Sequence, residues 1–172
     1  METEELRLKI YERLGLEIGS LKSESGNDWV RAEKEILEEY RNTIFEKLNE
    51  LSSIDYLNID KDSDEYCLVI NSNSLLLQNS KVIIAKRDDL DKVDINKLIL
   101  DGNKDILINL TKYQKLSSDE IDLIIPKSTY LVKKNLIENQ ILTSEQKEKL
   151  VSLMKESSLD YSELLNKLVT VI

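Results

Sequence analysis

Apolar positions recur every three or four residues along the first third of the chain, condense into short runs in the middle, and return to helical spacing toward the end. Leu6, Ile10 and Leu14 stand at i, i+4 and i+8, which predicts a short helix ending near Gly15 or Gly19. After a polar stretch over 20–26, Asn27 and Asp28 are N-cap residue types for a second, longer helix. Its apolar stripe reads Val30, Leu37, Tyr40, Ile44, Leu48 and Leu51, with Glu33, Lys34, Glu35, Glu38, Glu39, Arg41 and Lys47 mainly on the solvated side.

From 52 to 64 the chain is polar and rich in aspartate, and then the period changes. The runs 66–70, 81–86, 95–100, 106–110 and 121–125 are short, rich in Val, Ile and Leu, and bounded by Asn, Ser, Asp and Gly, which predicts about five strands. Asp101-Gly102-Asn103 supplies a turn between the middle pair. Pro126 stops the last run, and Ser128 caps a helix to about Asn139 with Leu131, Val132, Asn135, Leu136 and Asn139 on its stripe. Thr143-Ser144-Glu145-Gln146 forms a capping box for the next helix, to about Glu156. A last helix carries Leu164, Leu165, Leu168 and Val169, and the chain closes on Val171-Ile172, an apolar end packed within the chain or against a partner.

Helices, then strands, then helices predict an α+β fold: N-terminal amphipathic helices over 1–60, a small, mostly antiparallel β-rich domain with its following helix over 61–142, and C-terminal helices over 143–172, as three regions or one domain. Comparing the chain with itself brings out no repeat.

Composition narrows the function more than it narrows the fold. Of 172 residues 41% are hydrophobic, enough for a core, while 24 Lys+Arg against 33 Asp+Glu give a net charge of −9. That charge makes nucleic acid a secondary partner at most. It is uneven, because residues 1–60 carry 8 basic and 15 acidic groups whereas 127–172 carry 7 and 6. No apolar stretch approaches the roughly 20 residues of a membrane span, and Met1-Glu2-Thr3-Glu4-Glu5 is acidic where a signal peptide is basic. A cytoplasmic protein that does not engage membranes is expected.

The chain has no histidine, which removes Ser-His-Asp, Cys-His and histidine-ligated metal chemistry together. Its one cysteine, Cys67, lies in an apolar run and is expected in the core. Gly15, Gly19, Gly26 and Gly102 fit no phosphate loop. Asp60, Asp62 and Asp64 imitate the start of a calcium loop, but Glu65 replaces its glycine and Asn71 its closing glutamate. Asp88, Asp89, Asp91 and Asp94 could hold Mg²⁺ and read more simply as a solvated loop. No enzyme, metal or cofactor is expected.

Six side chains remain for contact with a partner. Trp29 opens the long helix as a core anchor or an interface hot spot. Tyr113, Lys115, Tyr130, Lys133 and Lys134, together with Lys112, interleave basic and aromatic groups. An accessory protein could bind nucleic acid there, with Tyr113 or Tyr130 stacking on bases.

The stretch from about 81 to 142 resembles the small β-rich domain of archaeal GINS subunits, proteins of the replicative helicase assembly. The parts that carry the resemblance are Lys81-Val82-Ile83-Ile84, Lys112-Tyr113-Gln114-Lys115-Leu116, Ile121-Asp122-Leu123-Ile124-Ile125-Pro126 and Leu136-Ile137-Glu138, with Asp28-Trp29 similar to the start of the family's helical domain. Ser117-Ser118 stand where that family has glycines, and two helices follow the small domain. The resemblance implies a non-enzymatic scaffold in DNA replication that assembles with sister subunits and docks a helicase or a RecJ-like nuclease. The expectation is therefore a scaffold or adaptor with protein partners, as a hetero- or homo-oligomer. The alternatives are the nucleic-acid-binding accessory protein and a virus- or plasmid-encoded inhibitor acting by protein contact.

Overall fold

The computed structural model of the protein describes residues 1–21 and 23–169, and among them there is no strand. The α+β expectation is overturned, and with it the central sheet and the β-rich domain. Eleven α-helices take their place: α1 (Thr3–Arg13), α2 (Asn27–Glu50), α3 (Ser53–Asn58), α4 (Asp64–Asn71), α5 (Gln78–Ile84), α6 (Lys92–Asp101), α7 (Lys104–Tyr113), α8 (Ser118–Ile124), α9 (Tyr130–Asn139), α10 (Ser144–Lys155) and α11 (Ser162–Val169). Short 3₁₀ turns at Leu75–Leu77 and Ile125–Lys127 precede α5 and follow α8.

Each expected strand is one of these helices, and the reason lies in spacing and caps. Ile95, Leu98 and Ile99 are buried at i, i+3 and i+4, and so are Ile121, Ile124 and Ile125; Ile106, Leu107 and Leu110 likewise share one helical face. Polar side chains stand just ahead of these runs. Asp91 accepts from the backbone N–H groups of Val93 and Asp94, Asn103 from those of Asp105 and Ile106, and Ser117 from that of Glu120. Residues read as turn formers between strands are N-caps. Asp101-Gly102-Asn103 does turn the chain, but between helices: Gly102 takes φ 73° as the C-cap of α6, where a Cβ would be strained.

The chain divides into two compact units: Met1–Ser52 with Ile59–Leu68, and Ser53–Asn58 with the chain from Val69 onward. In the first unit α1 packs on α2 around Ile10, Tyr11, Trp29, Ala32 and Ile36, with Met1, Leu6, Leu14 and Leu21 at the margin. Val30 and Leu37, expected on the buried stripe of α2, are 58% and 43% exposed, because the face that meets α1 runs through Trp29, Ala32 and Ile36. Cys67 is also exposed: once 66–70 is helical, Tyr66, Val69 and Ile70 take the buried face and Cys67 turns outward.

Asp64 pins the start of α4 in this unit. The Met1 ammonium, 2.8 Å away, and then the Tyr40 hydroxyl hold its carboxyl below the usual aspartate range, and the same bond to Asp64 pushes the Tyr40 phenol up to about 12. A lowered carboxyl contributes stability that is present above its unfolded value of about 3.9 and lost as pH falls through the lower folded value. A raised phenol contributes stability that is present below about 10 and lost as pH climbs through its folded value. Thermal melts against pH should therefore show both an acid and an alkaline loss; Asp64→Asn should flatten the first and Tyr40→Phe the second. Unchanged profiles in both variants would show the contact absent.

The second unit is a two-layer ladder of short helices. Helices α3, α5, α7, α9 and α11 pack successively in one layer; α6, α8 and α10 form the other, with α8 and its 3₁₀ extension lying between α6 and α10. Between the layers lie Ile84, Leu98, Ile99, Ile106, Leu107, Leu110, Ile121, Ile124 and Leu136, all inaccessible to solvent. Contrary to the expectation of no repeat, the unit repeats every 26 residues. The caps Asp91, Ser117 and Thr143 keep that spacing. So do buried Asp94, Glu120 and Gln146, and the buried aliphatics Leu98, Ile124 and Leu150, and Ile84, Leu110 and Leu136. This is the logic of an α-solenoid, in which neighbouring repeats bury one another's apolar faces.

Side-chain amides lock the register between repeats. Asn109 donates to the Val82 carbonyl at 2.7 Å, and Asn135, 26 positions on, donates to that of Ile108 at 3.0 Å. Gln114 donates to the carbonyls of Ala85 and Arg87 at 3.1 and 2.6 Å; Gln140 donates to that of Thr111, the equivalent of Ala85, at 2.9 Å and to that of Gln114, one residue past the equivalent of Arg87, at 2.8 Å. Each glutamine thus satisfies backbone acceptors where the preceding helix of its layer ends. Middle meets middle and end meets end, so α5, α7 and α9 run parallel. Gln114→Leu keeps the bulk and removes both donors, and is expected to cost about 2–4 kcal/mol in denaturant unfolding.

Candidate protein-binding face

The six predicted contact residues do not form one patch. Trp29 is a core residue: it is buried, with its ring T-shaped against Tyr11 at 5.4 Å and 79°. Tyr130 is half-buried against Tyr161 at 5.3 Å, and Lys133 is buried, donating to the Ser128 carbonyl at 2.7 Å with its ammonium 5.4 Å from the Tyr161 ring. These three tie α9 to the segment that leads into α11. Tyr113 is exposed at the C-terminal end of α7, the ammonium of Lys112 lies 5.1 Å from its ring, and Lys115 is exposed in the turn that follows. Because α7 and α9 are parallel, Tyr113 at the end of one and Tyr130 at the start of the other lie at opposite ends of the layer.

The aspartates considered as a metal cluster are used locally. Asp89 chelates Arg87 through two bonds of 2.8 and 2.6 Å, Asp91 caps α6, and Asp94 is buried on its first turn. Asp60 accepts from the Asp62 backbone N–H at 3.0 Å. Among the described residues no three acidic or sulfur side chains converge on a metal position.

What the ladder does gather is lysine. The outer surface of the α5–α7–α9 layer consists of the positions that neither face the second layer nor join neighbouring helices. Repeat-equivalent sites there are Asn79, Asp105 and Leu131; Val82, Ile108 and Lys134; and Lys86, Lys112 and Glu138. With Lys104 at the start of α7 and Lys115 beyond its end, five lysines border half-buried Val82, Ile83 and Ile108. None of the five lies within ion-pair distance of a described carboxylate.

The face itself carries two carboxylates, Asp105 and Glu138, against the five lysines, and many of the repeat unit's other carboxylates are engaged. Asp101 pairs with Lys81, Asp89 with Arg87, Asp122 and Glu145 with Lys149, and Glu138 and Glu163 with Lys167, while Asp91 and Glu120 serve caps. From Val69 onward the chain has as many acidic as basic residues, so this face is cationic by arrangement and not by composition. Part of that arrangement complements helix C-termini, since Lys86 and Lys112 sit where the dipole is negative. Lys112 and Lys134 stand out in the sequence as part of a basic and aromatic stretch, whereas the alignment of Lys112 with Lys86 becomes visible only through the 26-residue offset.

No described helix is long and apolar enough to cross a membrane. No family model, curated protein or solved structure matches the chain.

Proposed function

We propose that the protein is a non-enzymatic scaffold or adaptor subunit of a multiprotein assembly, working in the cytoplasm, where a lone exposed thiol stays reduced. One observation carries this reading. The side-chain amides of Asn109, Gln114, Asn135 and Gln140 are used to hold repeat to repeat, with no buried side-chain donor or acceptor lacking a partner among the described residues, while the outer layer presents a broad, ordered surface. Repeat ladders of this kind serve recognition through extended surfaces rather than through enclosed pockets. The resemblance to archaeal GINS subunits extends the proposal to the replicative helicase assembly, as a matter of role and not of β-domain fold. An inhibitor acting by protein contact would use the same kind of surface.

Affinity purification of the full chain from cells that express it, followed by sedimentation of what is recovered, tests the reading. A protein bound in fixed stoichiometry is expected; a lone monomer with nothing retained at low salt would contradict it.

A further inference from the structure

The scaffold reading leaves the chemistry of the partner open, and the outer layer narrows it. We infer that the α5–α7–α9 face docks an acidic segment of a partner protein that also carries apolar side chains. The inference rests on the scaffold reading and on two features of the face. The first is charge: Lys86, Lys104, Lys112, Lys115 and Lys134 stand beyond ion-pair distance of any described carboxylate and outnumber the face's two carboxylates, Asp105 and Glu138, of which Glu138 bonds Lys167 and also feels the charge of nearby Lys134. The second is the apolar surface they border, half-buried Val82 and Ile108 at equivalent positions of α5 and α7, with half-buried Ile83 beside them and Leu131 51% exposed on α9. An amphipathic acidic segment lying across the parallel helices would place apolar anchors on that surface and carboxylates against the lysines on either side.

The same observations disfavour a nucleic acid. Single-strand binders offer several aromatic platforms to successive bases, and here Tyr113 is exposed while Tyr130 is turned against Tyr161. Arginine, the side chain suited to bidentate phosphate contacts, is missing from the face: Arg87, the one arginine after Arg41, is buried on Asp89. The whole chain carries −9.

The test uses the full chain, a helical copolymer peptide of Glu and Leu, and poly(dT) of matched charge, titrated at low salt. Lys86→Glu/Lys112→Glu/Lys134→Glu is compared with Lys92→Glu/Lys97→Glu/Lys155→Glu, which makes the same change of net charge on the other layer; unchanged circular dichroism establishes that both are folded. Expected is peptide binding that falls about tenfold or more in the first variant and less than about twofold in the second. No binding, an equal loss in both variants, or tighter binding of poly(dT) than of the peptide would overturn the inference. Should that happen while the chain still co-purifies with a partner, the scaffold reading stands and only the face is misassigned; if co-purification fails as well, both fall.

Discussion

Truncating Leu107 to alanine is expected to destabilise the repeat unit by about 2–5 kcal/mol, whereas Ile108→Ala costs about 1 kcal/mol or less. The contrast follows from the period. Leu107 is fully buried between the layers with Ile106 and Leu110, so removing its isobutyl group leaves a void that close-packed neighbours fill only in part. Ile108 sits half-exposed on the outer face, where water or a rearranged lysine stem replaces the lost contacts. In the strand once expected over 106–110, residues alternate, Ile106, Ile108 and Leu110 share one side, and the order of the two effects would invert. For a unit of this size about 4–8 °C of melting temperature accompanies each kcal/mol, so differential scanning calorimetry separates the variants.

The second large effect lies at the start of the ladder. Lys81 is 3% and Asp101 8% exposed, their charged groups 2.7 Å apart; Lys81 also donates to the Ser72 carbonyl at 2.5 Å, and Gln78 donates to the same Asp101 oxygen at 3.1 Å. Gln78 in turn accepts from the Asn103 amide at 3.0 Å, which joins this pair to the cap of α7. Lys81→Met would strand a carboxylate in a site that water barely reaches, and is expected to cost about 3–5 kcal/mol. Lys81→Met/Asp101→Leu should recover most of that loss, since exchanging a whole buried pair for apolar groups is often close to neutral. A double variant as unstable as the single one would mean that the Ser72 and Gln78 contacts, rather than the stranded charge, set the cost. Urea unfolding of the two variants distinguishes these outcomes.

How much of this was readable in the chain depends on the segment. The outer helices were legible because they combine long periodicity with recognisable caps: α1, most of α2, and α10 with its Thr143 capping box lie close to where spacing places them. The middle was misread for a physical reason. Helices of seven to ten residues make only about two to three turns, so Ile121–Ile125 or Ile95–Leu100 look like strand-length apolar runs. Arbitration lay in the residues just upstream. Asp91-x-x-Asp94, Ser117-x-x-Glu120 and Thr143-x-x-Gln146 are one motif at one spacing, and only the third was recognised as a helix start. The contact residues were harder. Whether Trp29 is anchor or hot spot, and whether Tyr130 and Tyr113 lie together, depends on helix rotation and on the parallel stacking of α7 and α9, which adjacency in sequence does not encode.

The binding face and its charge arrangement depend on the 26-residue offset that stacks α5, α7 and α9 in parallel. Nuclear Overhauser contacts from the side-chain amides of Asn135 and Gln140 test it most directly. The ladder predicts cross-peaks from Asn135 to the backbone around Ile108 and from Gln140 to Thr111 and Gln114, alongside helical chemical shifts through 106–110 and 121–125. Strand-type shifts in those runs, with the amides showing only local contacts, would contradict it.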